Sequence, residues 1–363
     1  MTARDTVDQL LHILIQKEGS DLHLKAKNFP LARVHGDMMP IEGYPRLTAE
    51  NLHDLAYSLM DEKRQRRFEE GLEMDLAYEI PGLSRFRTNI MQQRGMISIV
   101  MRAIPTEIKS IDELGLPPVC RYFAERPRGM VLVTGPTGSG KSTTLAAMVD
   151  YINSSRSEHI MTVEDPVEFV HECKLSIINQ RELGSDTLSF NNALKYVLRQ
   201  DPDVILVGEM RDLETIHLAI TAAETGHLVF ATLHTQDATQ TVDRIIDVFP
   251  NYQQSQIRQQ LANNLIGVCS QALLRRADGK GRVAAFETLV NSTAIRNLIR
   301  EAKTFQISSS IQTGSRQGMM TLDQYLAALV KKGLVTNDEA FSRATNAKEF
   351  NALLEVGDGT GPK

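Results

Sequence analysis

A glycine-rich run follows a short apolar segment in the middle of the chain. The apolar segment is 131–134, and the run after it consists of Gly135, Pro136, Thr137, Gly138, Ser139, Gly140, Lys141, Ser142 and Thr143. This order fits the pattern Gly-x4-Gly-Lys-Ser/Thr, which is specific when a buried strand precedes it and a helix follows it. The segment 144–152 has helical character. The chain is therefore constrained to contain a strand, a phosphate-binding loop and a helix in succession.

The residue types of this loop suit a nucleotide. Glycines let the backbone curl so that several N–H groups face the β- and γ-phosphates, with the positive end of the following helix behind them. Lys141 is predicted to neutralise phosphate charge, and Ser142 is predicted to ligate Mg²⁺. A glycine-rich turn that binds nothing is the alternative, and the complete motif disfavours it. The expected cofactors are ATP and Mg²⁺.

Two glutamates follow predicted strands of the same region. Glu164 comes directly after segment 160–163, and Glu209 comes shortly after 204–207. The carboxyl ends of parallel strands form the edge where α/β proteins bind nucleotides. We assign Glu164 to polarising the attacking water and Glu209 to the Mg²⁺ shell, and the reverse assignment stays open. Each glutamate also has an alternative, purely structural interpretation. Glu164 would then only cap a helix, and Glu209 would only pair with Arg211.

Two histidines flank the apolar segment 228–233. His234 follows the segment and is expected near the γ-phosphate, which it would sense through a hydrogen bond. His227 precedes the segment and is less well placed, because side chains seven residues apart leave opposite faces of a straight strand. A structural role stays open for both residues.

Two arginines alternate in the N-terminal part of the chain. Arg85 and Arg87 are separated by Phe86, so both side chains leave the same face of a predicted strand. An arginine that reaches a nucleotide from another domain or subunit contributes about 10³–10⁵ in rate. The alternative is a solvated strand face whose arginines pair with acidic neighbours.

Composition and charge narrow the class of protein. The net charge of −5 gives no global attraction to nucleic acid. No apolar run approaches the ~18 residues of a membrane-spanning helix, and the first residues lack a secretory signal pattern. We therefore expect a cytoplasmic protein without membrane insertion. Cysteines at 120, 173 and 269 have no paired spacing, which argues against disulfides and a four-cysteine zinc site.

Periodicity divides the chain into four regions. Residues 1–104 mix short strands and helices, which predicts a small α+β domain. The stretch 105–117 and its flanking residues contain three prolines and are predicted to be a linker. Residues 118–290 alternate buried strands with helices, which predicts an α/β layer with a mostly parallel sheet. Residues 291–363 are predicted to be helical, with a frayed tail at 357–363.

Together these motifs resemble the type II/IV secretion ATPases, and most closely the PilT-type retraction motors of type IV pili. The resemblance covers nearly the whole chain and rests on an N-terminal signature and four ATPase boxes, at 19–24, 135–143, 162–168, 198–209 and 226–235. It implies a PAS-like N-terminal domain, a RecA-like P-loop ATPase domain and a homohexamer that binds ATP at domain and subunit boundaries. It also implies that Arg85, Arg87, His227 and His234 are site residues.

Two features resemble the retraction subtype more than the assembly motors. Assembly motors usually carry a long additional N-terminal region and a four-cysteine zinc site, and we expect neither in this chain. Residues 294–301 match a helix that is associated with retraction in PilT-type proteins. Its apolar stripe, which includes Ile295, Leu298 and Ile299, would equally suit an ordinary packing helix.

The resemblance thus implies an ATPase at the inner face of the cytoplasmic membrane that powers pilus retraction and twitching motility. Its expected partners are its own copies, the inner-membrane platform protein of the pilus and a paralogous retraction ATPase, without nucleic acid. Three alternatives stay open. They are an accessory or assembly ATPase of the same superfamily, a DNA-handling ring ATPase, which the net charge disfavours, and a non-hydrolysing regulator, which Glu164 and Glu209 disfavour.

Overall fold

A computed structural model describes residues 2–34, 36–104 and 107–355. The chain divides into two compact units, Met1–Glu107 and Ile108–Lys363. Pro105 and Thr106 of the predicted linker and the predicted tail at 357–363 lie outside the described residues.

The first unit is an antiparallel sheet with helices packed on it. Its elements are α1 (Ala3–Gln16), β1 (Gly19–Lys25), β2 (Leu31–Val34), β3 (Asp37–Pro40), α2 (Ala49–Ser58), α3 (Glu62–Gly71), β4 (Glu73–Ile80), β5 (Ser84–Gln93) and β6 (Met96–Ile104). The strand order is β3-β2-β1-β6-β5-β4. Of these strands, β3 is not predicted by the sequence pattern.

One face of this sheet forms the core of the first unit. Leu24, Ile99 and Ile90 lie side by side on β1, β6 and β5, and all three are fully buried. Leu10 and Leu14 of α1 join them, because apolar residues recur on that helix at helical spacing. The alternation of buried and more exposed residues along β4 and β5 is typical of an antiparallel sheet that is covered on one side. The predicted α+β pattern is confirmed here.

The second unit contains the phosphate-binding loop. Its elements are α4 (Val119–Ala124), β7 (Gly129–Thr134), α5 (Lys141–Ser155), β8 (His159–Glu164), β9 (Ile177–Glu182), α6 (Phe190–Val197), β10 (Val204–Val207), α7 (Leu213–Glu224), β11 (Leu228–Leu233), α8 (Ala238–Asp247), α9 (Asn251–Asn264), β12 (Leu265–Arg275), β13 (Arg282–Val290), α10 (Thr293–Arg300), α11 (Ile307–Thr313), α12 (Leu322–Lys331), α13 (Asn337–Phe341) and α14 (Ala347–Glu355). Across the described ranges, every helix falls short of the length and hydropathy that a bilayer crossing requires.

Seven strands of this unit form a mostly parallel sheet, as predicted. Their order is β13-β12-β7-β11-β10-β8-β9, and each neighbouring pair is parallel except β12 and β13. The central strands β7, β10 and β11 are buried along their whole length, which explains their uninterrupted apolar sequences. Since parallel strands share one direction, the residues that follow β7, β11, β10 and β8 line up in this order along one edge.

The predicted linker differs from the structure. Ile111 and Leu116 are buried in the core of the second unit, beside Val119 and Phe123 of α4. Burial of two such side chains stabilises their position by roughly 1.5–3 kcal/mol each. The prolines interrupt periodicity, as expected from their missing N–H, but the described part of this stretch packs as part of the second unit.

The C-terminal region is helical, as predicted, but α11 (Ile307–Thr313) was not predicted as a separate helix and α13 is shorter than predicted. Within this region the sequence pattern predicts one helix over 337–345, whereas α13 ends at Phe341. The carboxylate of the buried Asp323 accepts hydrogen bonds from the N–H groups of Thr345 and Asn346, both at 2.8 Å. These bonds hold the two residues in a turn before α14, so the helix does not continue through them.

Candidate active site

The glycine-rich loop lies between β7 and α5, at the edge where the parallel strands end. Gly135, Gly138 and Gly140 have φ values of +140°, +78° and +91°, which residues with side chains rarely adopt. Gly140 immediately precedes Lys141, the first residue of α5. The unpaired N–H groups at the start of α5 therefore reinforce the loop as a site for anionic phosphates.

Lys141 and Ser142 are available on the first turn of α5. Lys141 Nζ donates hydrogen bonds to the carbonyl oxygens of Gly135 at 2.8 Å and Pro136 at 3.2 Å. Burial lowers the pKa of Lys141, and the negative charge of Glu209 acts in the opposite direction. Ser142 is exposed. The loop thus combines one ammonium group with the exposed hydroxyl-bearing residues Thr137 and Ser142.

Gln271 of β12 supports the loop through a buried hydrogen bond, and the sequence analysis does not identify it as a site residue. It is 3% exposed, and its Nε2 donates to the carbonyl oxygen of Ser139 at 2.6 Å. A Cβ atom at Gly135 would lie 2.3 Å from the carbonyl oxygen of Gln271, so only glycine fits there. The sequence feature that could have indicated its role is the polar pair Ser270-Gln271 inside an otherwise apolar run. This run belongs to a hairpin that the sequence periodicity does not predict.

The Gln271→Leu variant is expected to weaken nucleotide binding up to about tenfold. The substitution keeps the buried volume but removes the hydrogen bond to Ser139, which contributes about 0.5–1.5 kcal/mol. Titration with ADP measures the dissociation constant. Gln254→Leu is the matched control, because Gln254 Nε2 also donates to a backbone carbonyl, that of Phe249 at 3.1 Å, in a helix away from the loop. Equal affinities in the two variants would contradict the supporting role of Gln271.

Glu164 ends β8 and is held by three donors. Its Oε1 accepts hydrogen bonds from Thr162 Oγ1 at 2.7 Å and Gln180 Nε2 at 3.3 Å, and the N–H of Glu168 lies 3.5 Å from Oε2. Gln180 also donates to the Phe169 carbonyl at 2.7 Å, which fixes its amide. Burial raises the pKa of Glu164, and the hydrogen bonds from Thr162 and Gln180 offset only part of this effect.

Glu209 follows β10 and has a different environment. Its Oε2 accepts from Arg211 Nη2 at 2.8 Å, and its Oε1 lies 3.1 Å from His234 Nε2. Burial alone would raise the pKa of Glu209, but the hydrogen bond and charge of Arg211, together with His234, bring it below the usual value. Arg211 Nη1 also lies 3.9 Å from Asp165. Glu209 is therefore an anion held between two cationic or polar partners.

The two glutamates come from neighbouring strands. Gly208 N donates to the Val163 carbonyl at 2.8 Å, and a Cβ atom at Gly208 would lie 3.1 Å from the Cα of Glu164. A carboxylate with a raised pKa suits proton transfer near neutral pH. A carboxylate that stays ionised is better suited to binding a cation. The hard oxygens of Ser142 and Glu209 are the donor type that Mg²⁺ prefers, so these residues fit the predicted metal role.

The structure does not bring His227 to this edge. His227 precedes β11, and its carbonyl accepts from Gly129 N, at the start of β7, at 2.9 Å. The six residues of β11 lie between it and His234, which is therefore about 23 Å further along the extended chain. His227 Nδ1 lies 2.9 Å from the Ala222 carbonyl instead. Within the described part of its own unit, the His227 side chain hydrogen-bonds to Ala222 and Thr225, just before it in the chain, and its predicted catalytic role stays a prediction.

Arg85 and Arg87 lie in the first unit, on β5. They alternate with the buried residues Ser84, Phe86 and Thr88, so both side chains leave the same face of the sheet, away from the core. Arg87 is opposite Arg102 of β6 in register. The same-face geometry that the sequence indicates is present, and the role of these arginines in hydrolysis stays a prediction.

Comparisons of the sequence with protein families and with individual proteins all indicate the same family. The sequence pattern of the family described as type II/IV secretion system protein matches residues 3–349. The chain is 50% identical to the type IV pilus retractation ATPase PilT of Pseudomonas aeruginosa, over 95% of this chain and 99% of that protein. It is 52% identical to a twitching motility protein of Neisseria gonorrhoeae, over 89% of this chain and 86% of that protein.

A solved structure shows the same likeness. The crystal structure of the pilus retraction motor PilT with bound ADP matches with a TM-score of 0.89 at 47% sequence identity, over 95% of this chain and 98% of that chain. The likeness extends over almost the full length of both chains. The predicted α/β fold class is thereby confirmed.

Proposed function

The chain belongs to the type II/IV secretion system protein family, and from this membership we propose that it is an ATP-hydrolysing motor that retracts type IV pili. The observation that carries the proposal is the 50% identity to a pilus retraction ATPase over 95% of this chain. The aligned region includes both units of the chain. A similarity limited to the phosphate-binding loop would indicate only a nucleotide-binding protein.

The loop 135–143 is proposed to hold the phosphates of ATP, since a similar motor has been crystallised with ADP. Backbone N–H groups of the loop and the start of α5 would face the phosphates. Lys141 would exchange its hydrogen bonds to Gly135 and Pro136 for contacts with the β- and γ-phosphates. This exchange replaces two neutral acceptors with charged oxygens, which bind an ammonium group more strongly.

Hydrolysis is proposed to depend on the unequal environments of the two glutamates. Glu164 would accept a proton from the attacking water, because its raised pKa favours proton transfer. Glu209 and Ser142 would hold Mg²⁺, which when bound neutralises charge on the phosphates. His234, 3.1 Å from Glu209, would orient that carboxylate and hydrogen-bond the γ-phosphate.

Mechanical work is proposed to come from an assembly of several copies. Arg85 and Arg87, on the outward face of β5, would contact the nucleotide of their own or of a neighbouring copy in a homohexamer. ATP binding and hydrolysis would then drive a cyclic movement of the domains. The motion would pass to the inner-membrane platform protein of the pilus, which places the motor at the cytoplasmic face of the membrane. A paralogous retraction ATPase is a further proposed partner.

Replacement of Lys141 by alanine in the native cell tests this function. We expect abundant surface pili together with loss of twitching movement, because assembly continues while retraction stops. Pili are counted by electron microscopy and movement is measured on a surface. Lys174→Ala is the matched control, since that ammonium pairs with Asp150 at 2.7 Å outside the site. Cells without pili would identify an assembly motor instead, and normal movement with normal pili would identify a dispensable, accessory ATPase.

A further inference from the structure

One carboxylate of the second unit joins the starts of two helices. Glu287 lies on β13, and its Oε1 accepts a hydrogen bond from the N–H of Ala238, the first residue of α8, at 2.8 Å. The N–H of Leu322, the first residue of α12, faces the same carboxylate and lowers its pKa. These N–H groups have no partner within their own helices, so Glu287 connects two elements that are far apart in sequence.

The first of these helices continues directly from the nucleotide edge. Only three residues separate His234 from Ala238, and Asp237 among them caps α8 by accepting from Gln240 N at 2.7 Å. Thr235 Oγ1 lies 2.6 Å from Thr241 Oγ1, which ties the same segment to the first turns of α8. A shift of the start of α8 would therefore move His234.

Glu287 is also one strand away from the phosphate-binding loop. It is opposite Ser270 of β12 in register. Ser270 Oγ lies 2.8 Å from the hydroxyl of Thr134, the residue immediately before the loop. Glu287, Ser270 and Thr134 thus form a polar row across β13, β12 and β7.

The second helix belongs to the C-terminal group. Thr288, next to Glu287, exchanges two backbone hydrogen bonds with Met320, at 2.9 and 3.1 Å. Asp323, in the first turn of α12, holds Thr345 and Asn346 before α14. The start of α12 is therefore fixed to β13 on one side and to the last helix on the other.

We propose that Glu287 is a positioning residue of the ATPase, whose ionised carboxylate couples the His234 segment to the C-terminal helices. The inference rests on the proposed hydrolysis of ATP. An ionised carboxylate can accept from both helix starts, whose positive ends favour its charge. A neutral carboxylic acid or amide has only one good acceptor oxygen, so one of the two N–H groups then loses its partner.

The charge of Glu287 is sensitive to pH near neutrality. Burial raises its pKa to about 7, the charges of Asp237 and Asp323 add to this effect, and the hydrogen bonds from Ala238 and Leu322 offset part of it. Asp237 and Asp323 are the charged groups that face it from α8 and α12. Coupling through Glu287 should accordingly weaken as the pH falls from 8 to 6.

The Glu287→Gln variant of the full chain tests the proposal. At pH 8 we expect kcat for ATP to fall about tenfold, the effect of one lost hydrogen bond to a charged group. The dissociation constant of ADP should stay within about twofold, because ADP lacks the phosphate that His234 is proposed to contact. Between pH 6 and 8, kcat of the wild type should rise relative to that of the variant, with a midpoint near 7.

Thermal unfolding distinguishes a positioning role of Glu287 in hydrolysis from a role in stabilising the fold. A carboxyl group whose pKa is raised on folding costs stability in its charged form, above that pKa. Glu287→Gln should therefore have a Tm at pH 8 equal to or higher than that of the wild type, although it turns over more slowly. A lower Tm with a matching loss of ADP binding would show a structural role and overturn the proposal. Wild-type kcat with the wild-type pH profile would overturn it as well.

Two further variants complete the test. Glu339→Gln is the matched control, because Glu339 accepts one backbone N–H, that of Arg275 at 3.2 Å, at the far end of β12; it should keep wild-type kcat. Glu287→Asp retains the charge with a shorter reach, so it should have a lower kcat but keep the pH dependence. A wild-type kcat or a lost pH dependence in this variant would contradict the proposal. If the wild type itself does not hydrolyse ATP, the proposed function fails rather than this inference.

Discussion

Lys141→Ala is expected to lower steady-state ATP hydrolysis by at least about 10²-fold, the scale for removing one charge-stabilising donor from an active site. Lys141 is the one ammonium group in the described part of the loop, and its Nζ already contacts the backbone there at 2.8 and 3.2 Å. Its loss leaves part of the phosphate charge uncompensated. Phosphate release by the purified full chain measures the effect.

The fold should survive this substitution. Lys141 is partly exposed and contributes no side chain to the apolar core. The Tm without nucleotide should stay close to that of the wild type, while the stabilisation by ADP, about 2.7 kcal/mol at a hundred times the dissociation constant, should be largely lost. Lys174→Ala, which removes an ammonium group paired with Asp150, should turn over normally. Normal turnover by Lys141→Ala would refute the assignment of the site.

Glu164→Gln is expected to bind ATP but to hydrolyse it about 10²–10⁴-fold more slowly, because the amide cannot accept the proton of the attacking water. The amide retains the shape of the side chain and an oxygen for Thr162. Since burial raises the pKa of Glu164, the wild-type kcat should fall with decreasing pH at values above the ordinary range of a glutamate. Single-turnover phosphate release as a function of pH measures both effects.

Two comparisons make the result specific. Glu168→Gln is the control, because Glu168 is an exposed carboxylate of the same acidic segment, and it should keep wild-type turnover. Glu209→Gln should instead raise the Mg²⁺ concentration that is needed for half-maximal activity. If Glu209→Gln binds ATP normally and alone abolishes turnover, the roles of the two glutamates are the reverse of those proposed.

The sequence was sufficient for features that depend on neighbouring residues. The loop 135–143 is contiguous, and its glycines at 135, 138 and 140 occupy the positive φ values that its function requires. The strands at 204–207 and 228–233 were predicted with the observed limits, because buried parallel strands have continuous apolar sequences. Placement of Glu164 and Glu209 after such strands followed from the direction of a parallel sheet.

Contacts between distant segments could not be predicted in this way. Gln271 supports Ser139 across 132 positions of the chain, and Glu287 meets Ala238 across 49. Local sequence periodicity does not predict such pairs, because they depend on which strands become neighbours in the sheet. The hairpin of β12 and β13, which supplies both residues, was itself absent from the prediction. The predicted linker failed for the same reason, since the burial of Ile111 and Leu116 depends on α4 and the second core.

The sequence by itself therefore determined the phosphate-binding loop, the alternation of strands and helices around it and the two candidate carboxylates, all of which follow from local backbone and apolar patterns. Only the tertiary structure decided how these carboxylates differ. Glu164 is surrounded by neutral donors such as Thr162, and burial raises its pKa, whereas Arg211 and His234 keep the pKa of Glu209 low despite burial. The physical reason is that the charge of a carboxyl group depends on solvent and partners brought to it by other strands.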